Sequence, residues 1–292
     1  PNALNTDDYI LPENGALQLI IEANKEENQN KPYFLILDEM NLSHVERYFA
    51  DFLSVMESKD KFKLHSSNKP LLGNGNIEVV KEYFWPKNLF VVGTVNIDET
   101  TYMFSPKVLD RANVIEFRVN ETEIEGFLNA GKEIKPITKM GVAMSNSFVA
   151  IAKNDQNESD FSKLNIELLD FFKELQVLGA EFGYRTATEI QTLFSKIDFI
   201  NPKYSDKVNE KIDIAIMQKL LPKLHGSRRK LLKTLNLLAQ KCLTENQEVI
   251  FNERGIYNLS ESNSIKYTLS FEKIARMYKN AIENGFSSYA EA

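Results

Sequence analysis

The sequence holds a single cysteine, Cys242, among 292 residues. An internal disulfide and a cysteine-built metal cluster are therefore excluded. Its three histidines, His44, His65 and His225, stand far apart, and none has another histidine three or four residues on. A histidine metal site on one helix face is not expected. No apolar run approaches the roughly 18 residues that a membrane-spanning helix needs, and no signal peptide is visible. The chain accordingly reads as cytoplasmic, with no membrane partner. No G-x-x-x-x-G-K-[ST] loop occurs anywhere, so a glycine-spaced phosphate cradle is missing. Repeats and low-complexity segments are also missing. The first residue is Pro1 rather than methionine, which reads as a fragment of a longer protein.

What is present fits a packed globular protein. Hydrophobic residues make up 43% and charged residues 26%, and the length suits one large or two ordinary domains. The formal net charge of −6 argues against a surface that coats nucleic acid generally, while leaving room for a local basic groove.

The most informative stretch is Lys31 to Glu57. It opens with Tyr33-Phe34-Leu35-Ile36-Leu37, too short for a helix and apolar enough for a strand buried on both faces. The run ends on Asp38 and Glu39. Ser43 and Glu46 have capping-box spacing, and Val45, Phe49, Phe52, Leu53 and Met56 then recur at helical intervals. Two acids at the C-terminal tip of such a strand lie where α/β sheets bind ligands. Neighbouring strand residues point to opposite sides, so one acid can hold a hydrated Mg²⁺ and the other can act on water. The same pair would also suit a solvated turn.

Lys59 to Lys87 reads as a projecting β-hairpin turning at Gly73-Asn74-Gly75-Asn76. Asn88 to Val95 is a second buried strand, ending in Asn96. Ser105-Pro106 opens a short helix that carries Asp110 and Arg111. Asn113 to Val119 reads as a third strand, and Thr122-x-x-Glu125 as a capping box for a helix ending at Gly131. From about 137 the pattern is helical, with one strand candidate at 249–251, and is interrupted at Gly183-Tyr184-Arg185 and near Pro222, with a last helix capped by Ser270 and followed by Gly285. The expected fold class is α/β over residues 1–120, then all-α over 121–292.

Three motifs carry a resemblance. They are Leu37-Asp38-Glu39-Met40-Asn41-Leu42, Gly93-Thr94-Val95-Asn96-Ile97-Asp98-Glu99 and Leu220-Leu221-Pro222-Lys223-Leu224-His225-Gly226-Ser227-Arg228. In this order the chain resembles AAA+ P-loop NTPases, and within them the McrB-type motors of modification-dependent restriction systems. The resemblance implies a partial AAA+ core, from Walker B to the last core strand, followed by a helical lid. It implies Asp38 as the Mg²⁺ ligand and Glu39 as the residue that polarises the attacking water. Asn96 would be sensor 1, Arg111 the arginine finger reaching a neighbouring subunit, and Arg185 the sensor 2 arginine. The cofactors implied are Mg²⁺ with GTP or ATP. The partners implied are further copies in a ring, in particular a hexamer, an McrC-type nuclease, and DNA recognised through a separate N-terminal domain. Val95 stands where the family pattern has Met, and Glu99 where it has Asp. The alternatives are a MoxR-like remodelling ATPase and a non-catalytic scaffold or DNA-binding module without a P-loop.

Between Lys219 and Lys233 lie six cations and no acid. Positive charge in the first turn of a helix opposes its dipole by ~0.3–1 kcal/mol per residue. Arg228, Arg229 and Lys230 are therefore candidate partner or DNA contacts, as are Lys61, Lys63 and Lys69 of the hairpin.

Overall fold

The computed structural model describes residues 15–58, 60–72, 77–96, 103–130, 143–154, 159–245, 247–259 and 264–292. In chain order the elements are α1 (Ala16–Asn24), β1 (Tyr33–Leu37), α2 (Val45–Tyr48), α3 (Ala50–Ser58), β2 (Lys61–Lys63), β3 (Leu71–Leu72), β4 (Glu78–Val79), β5 (Glu82–Phe84), β6 (Leu89–Gly93), α4 (Pro106–Leu109), α5 (Glu121–Ala130), α6 (Ser145–Lys153), α7 (Ser162–Leu178), α8 (Tyr184–Ile200), α9 (Val208–Ala215), β7 (His225–Ser227), α10 (Arg228–Lys241), β8 (Val249–Phe251), β9 (Tyr257–Leu259), α11 (Thr268–Asn284) and β10 (Phe286–Ser288). They divide into two compact units, Pro1–Phe104 with Ile134–Asn154, and Ser105–Glu133 with Asp155–Ala292. Each unit is built from two separate stretches, unlike the single boundary at residue 120 expected from the sequence.

In the first unit β1 and β6 pair in parallel, from Tyr33 against Leu89 to Leu37 against Gly93. Asn88 fixes this register. Its buried amide donates to the carbonyls of Asn28 (2.9 Å) and Lys31 (3.0 Å), while its own carbonyl accepts from the Tyr33 N–H (2.8 Å). One face of α1 presents Ile20 and Ala23 to Leu89, Tyr33, Leu35, Phe52 and Trp85. Leu17 and Ile21 of the same helix pack on Val79 and Tyr83. The expectation that the first strand is buried on both faces is corrected. Phe34 and Ile36 remain 47% and 65% exposed. The pair has no third strand among the described residues, and on that face only Phe148 of α6 stacks against Phe34 and Phe90.

The expected hairpin is present as an antiparallel arm in two steps. Lys61 lies opposite Phe84 in β2–β5, and Leu71 opposite Val79 in β3–β4. Its turn, Gly73 to Asn76, lies outside the described residues. The helix after β1 breaks at Phe49, and His44 rather than Ser43 precedes it, with no side-chain cap.

The second unit is mainly helical around one core, and its two antiparallel strand pairs, β7–β10 and β8–β9, correct the all-α expectation for residues 121–292. Phe171 and Leu175 of α7, Leu231, Leu235 and Leu238 of α10, and Phe271 and Ile274 of α11 are buried in it. Cys242 lies in the same core, where burial pushes its thiol well up and keeps it in the unreactive protonated form. The reciprocal cap of α5 is made two residues before the expected one. The Glu123 N–H donates to Asn120 Oδ1 (2.8 Å) and the Asn120 N–H to Glu123 Oε2 (2.9 Å). Gly285, in the left-handed region at φ 74°, ends α11 as expected.

Asn113 to Val119 is neither a helix nor a sheet strand among the described residues, which corrects the expected third strand. It alternates as a strand would. The Val114 N–H donates to the Gln218 carbonyl (3.1 Å), and Glu116 pairs with Lys273 (3.1 Å) and Arg276 (3.1 Å). Ile115, Phe117 and Val119 point outward, 62%, 93% and 67% exposed.

Lys273 makes this segment pH-sensitive. The side chain is 1% exposed, packs over the Tyr289 ring (4.2 Å) and donates to the Ala292 carbonyl (2.6 Å). Burial lowers its pKa from 10.5 to about 8, with Glu116 raising it and Arg276 and Arg118 lowering it further. Between those values the unfolded chain binds the extra proton, so this group's contribution to stability rises with pH across the window. A shift of that size corresponds to roughly 3 kcal/mol. Urea unfolding of the wild type and Lys273→Met at about pH 7 and about pH 9.5 is expected to show the wild type gaining on the variant. An identical difference at both pH values would overturn the assignment. Tyr289 and Tyr267 are raised by burial, so they lower stability only above about pH 10, outside this comparison.

Candidate functional site

The parallel register of β1 and β6 ends both strands at the same level, so residues just past Leu37 meet residues just past Gly93. Asp38 meets Thr94, whose hydroxyl donates to Asp38 Oδ1 (2.5 Å) and accepts from the Glu39 N–H (2.8 Å). Asn96 Nδ2 donates to Glu39 Oε1 (3.0 Å). The Thr94 N–H donates to the Leu37 carbonyl (3.0 Å) and the Met40 N–H to the Thr94 carbonyl (3.0 Å), so backbone bonds continue past the ladder. The expected trio Asp38, Glu39 and Asn96 is thus assembled at one strand end.

Two local features shape this end. Glu39 adopts φ 47° and ψ 46°, left-handed backbone that a non-glycine residue occupies at a cost of order 1 kcal/mol. That backbone leads the chain from the strand into the turn Met40–Leu42. Beside it, a Cβ on Gly93 would lie 1.8 Å from Met40 Sδ, so a larger residue there would push the flexible Met40 side chain off β6.

Thr94 and Asn41 belong to the site but carry little signal in the sequence, because any polar residue suits a turn. Asn41 is 3% exposed, and its Nδ2 donates to the Asn96 carbonyl (2.9 Å), holding the Asn96 backbone. Only the strand register shows that Thr94 lies opposite Asp38. Ile97, Asp98 and Glu99 of the second motif lie outside the described residues.

The donor set fits Mg²⁺. Asp38 is exposed, with one carboxylate oxygen held by Thr94, and Mg²⁺ commonly takes one or two carboxylates and keeps several waters. Among the described residues no group of three or more His, Cys, Asp or Glu side chains forms a closed cage.

Arg111 and Arg185 are brought near each other within the second unit. Arg111 follows α4, and its Nη1 donates to the Lys107 carbonyl. Burial, and the charge of Arg185, lower its pKa, while Glu189 opposes this. The loop that carries Arg111 is anchored by two lysines. Lys219, 1% exposed, contacts Glu189 and the carbonyls of Asp110 and Ala112 (2.9 Å to the latter). Lys223 pairs with Asp110 and donates to Thr186 Oγ1 (3.2 Å). These two members of the basic run thus face inward.

Arg228, Arg229 and Lys230 are exposed at the start of α10. On the hairpin arm, Lys61 lies over the Phe84 ring (4.9 Å) and 4.0 Å from Glu82, and Lys63 and Lys69 are solvent-facing.

A family model described as "Domain of unknown function (DUF8727)" matches residues 133–286, just over half of the chain. The chain belongs to this family. The DUF8727 match takes in Arg185 and the basic start of α10, while Asp38, Glu39, Asn96 and Arg111 lie before it. No curated protein and no solved structure matches the chain. Among the described residues no helix is long and apolar enough to cross a membrane.

Proposed function

We propose that the cluster Asp38, Glu39, Thr94 and Asn96 is the water-activating half of a Mg²⁺-dependent nucleoside triphosphatase of AAA+ type. The observation that carries this reading is the interlocked pair of strand tips, in which one carboxylate is held by a hydroxyl and the other by an amide. Asp38 would hold the hydrated ion, which when bound neutralises charge on the transferred phosphoryl group. Glu39 is half-buried and carries one oxygen bonded to Asn96; its other oxygen orients a water and accepts its proton. Asn96 keeps that carboxylate in place and offers an amide to the incoming oxygen. The phosphate cradle is not in these 292 residues. The reading therefore requires a glycine-rich loop from polypeptide outside this sequence.

Arg111 and Arg185 suit the charge that develops on a phosphoryl group, Arg111 from a neighbouring copy in a ring and Arg185 through lid closure. A ring of this kind would drive a partner nuclease against modified or foreign DNA, or, as a MoxR-like machine, remodel a protein. The missing cradle favours one other reading, a scaffold that binds no nucleotide.

The test is phosphate release by the complete protein carrying this sequence, with ATP and GTP compared, with and without Mg²⁺. Mg²⁺-dependent hydrolysis of either nucleotide is expected. GTP preference would support the restriction motor and ATP preference the remodeller. Absence of hydrolysis and of nucleotide binding would leave the scaffold.

A further inference from the structure

Six cations lie between Lys219 and Lys233, and the fold divides them. Lys219 and Lys223 are held internally by Glu189 and Asp110. Arg228, Arg229, Lys230 and Lys233 are exposed, and among the described residues none of the four has an acidic partner. Arg228, Arg229 and Lys233 line one open depression of about 570 Å³ together with Ser227, Leu232 and Gly285. Lys230 turns the other way, toward a smaller recess that holds Lys223, Asp110 and His225.

The support under this depression is rigid. β7 and β10 pair across Ser227 and Phe286, and the Arg228 N–H donates to the Gly285 carbonyl (2.8 Å). One turn further, Leu231 and Leu235 anchor α10 in the core. The cations are thus presented from a fixed base and not from a loose loop. They also sit at the end of α10 where positive charge is unfavourable, in a chain whose formal net charge is −6. The Ser227 side chain makes no cap to that helix.

We infer that this depression binds the sugar-phosphate backbone of a nucleic acid through Arg228, Arg229 and Lys233. Guanidinium groups fit phosphate oxygens in a fork, and two such groups beside an ammonium match a row of phosphates. An acidic protein face is a poorer fit, because protein interfaces are built around an apolar and aromatic centre and here only half-buried Leu232 is apolar. Among the described residues no aromatic ring lines the depression, so bases are not stacked and binding is independent of sequence. The inference does not rest on the nucleotide-hydrolysis reading. It also replaces part of the set expected from the sequence, taking Lys233 in and leaving Lys230 and the hairpin lysines out.

The test is fluorescence anisotropy of a labelled mixed-sequence DNA duplex with the full chain over a salt series. Wild type is expected to bind at low salt, with a second, unrelated sequence bound equally. The double variant Arg229→Glu/Lys233→Glu, confirmed folded by circular dichroism, is expected to bind at least about tenfold more weakly. Its slope of log K against log salt should be shallower by about two, since each phosphate that the protein ceases to neutralise removes about 0.9. Lys61→Glu/Lys63→Glu is expected to bind as wild type does. The proposal is overturned if wild type binds no duplex at low salt, if the α10 variant binds unchanged, if the weakening follows the hairpin variant, or if poly-glutamate competes as well as unlabelled duplex.

Discussion

On the proposed triphosphatase reading, Glu39→Gln is expected to slow nucleotide hydrolysis by the complete protein at least about 100-fold while leaving nucleotide affinity within about threefold. Glutamine has the size and shape of glutamate. Its amide oxygen still accepts from Asn96 Nδ2, the bond that spans 3.0 Å in the native site. The left-handed backbone at position 39 is also available to it at the same cost. What disappears is the negative charge and the site for the water's proton. A group that acts only as the reaction proceeds affects the rate and not the binding of substrate. The measurement pairs steady-state phosphate release with equilibrium binding of a labelled nucleotide. Equal rates for the two proteins would remove Glu39 from the chemistry and, with it, the role given to Asn96. Weaker binding at an unchanged rate per bound nucleotide would instead make Glu39 a binding residue.

Asp213→Ala is expected to destabilise the second unit by about 2–5 kcal/mol, because it leaves two buried backbone donors without an acceptor, at about 1–3 kcal/mol each. The Asp213 side chain lies in α9 and is 5% exposed. Its Oδ2 accepts the Leu269 N–H (2.8 Å), and its Oδ1 accepts the Ser270 N–H (2.8 Å) and the Ser270 hydroxyl (2.6 Å). These are first-turn donors of α11, so a residue 57 positions before Ser270 caps this helix. Alanine would strand two backbone donors inside the core that holds Phe271 and Ile274. Burial raises the Asp213 pKa above that of a free aspartate, against the hydrogen bonds that lower it. The folded state then binds the proton more readily than the unfolded one, so this carboxylate costs stability as pH rises through that interval. Its value at neutral pH lies in the donors it satisfies. Asp213→Asn, which keeps one acceptor, is expected to lose about half as much. Thermal and urea unfolding read both variants; an alanine variant within about 1 kcal/mol of wild type would show that water replaces the cap.

Much of the local structure is legible in the sequence because its causes are local. Leu164, Leu168, Phe171 and Leu175 recur at helical spacing and are the buried face of α7. Gly285 ends α11 because a left-handed residue closes a helix. Helix starts are less legible. Ser270 has the chemistry of a local cap for α11, but it lies inside the helix and is itself bonded by Asp213 from another element. The capping box of α5 falls two residues before Thr122 and Glu125, since Asn120 and Glu123 offer the same chemistry at the same spacing. Alternation does not tell a sheet strand from a strap held by Glu116, because in Asn113 to Val119, as in a strand, Val114 and Glu116 turn inward while Ile115 and Phe117 face out.

By itself the sequence determined which residues could meet at a strand tip. Two apolar five-residue runs, each followed by polar residues, place Asp38, Glu39 and Asn96 at ends of strands wherever those strands lie. It also excluded an internal disulfide and an internal glycine-spaced phosphate cradle, because the residues are not there. Only the tertiary structure decided that the two strands are parallel neighbours in one register, which is what brings Thr94 to Asp38 and Asn96 to Glu39. It alone divided the basic run, turning Lys219 and Lys223 onto acids distant in sequence and leaving Arg228, Arg229 and Lys233 in solvent. The physical reason is the same in both cases. Composition and periodicity fix what a residue can do locally, whereas pairing between distant segments depends on packing that no single stretch encodes.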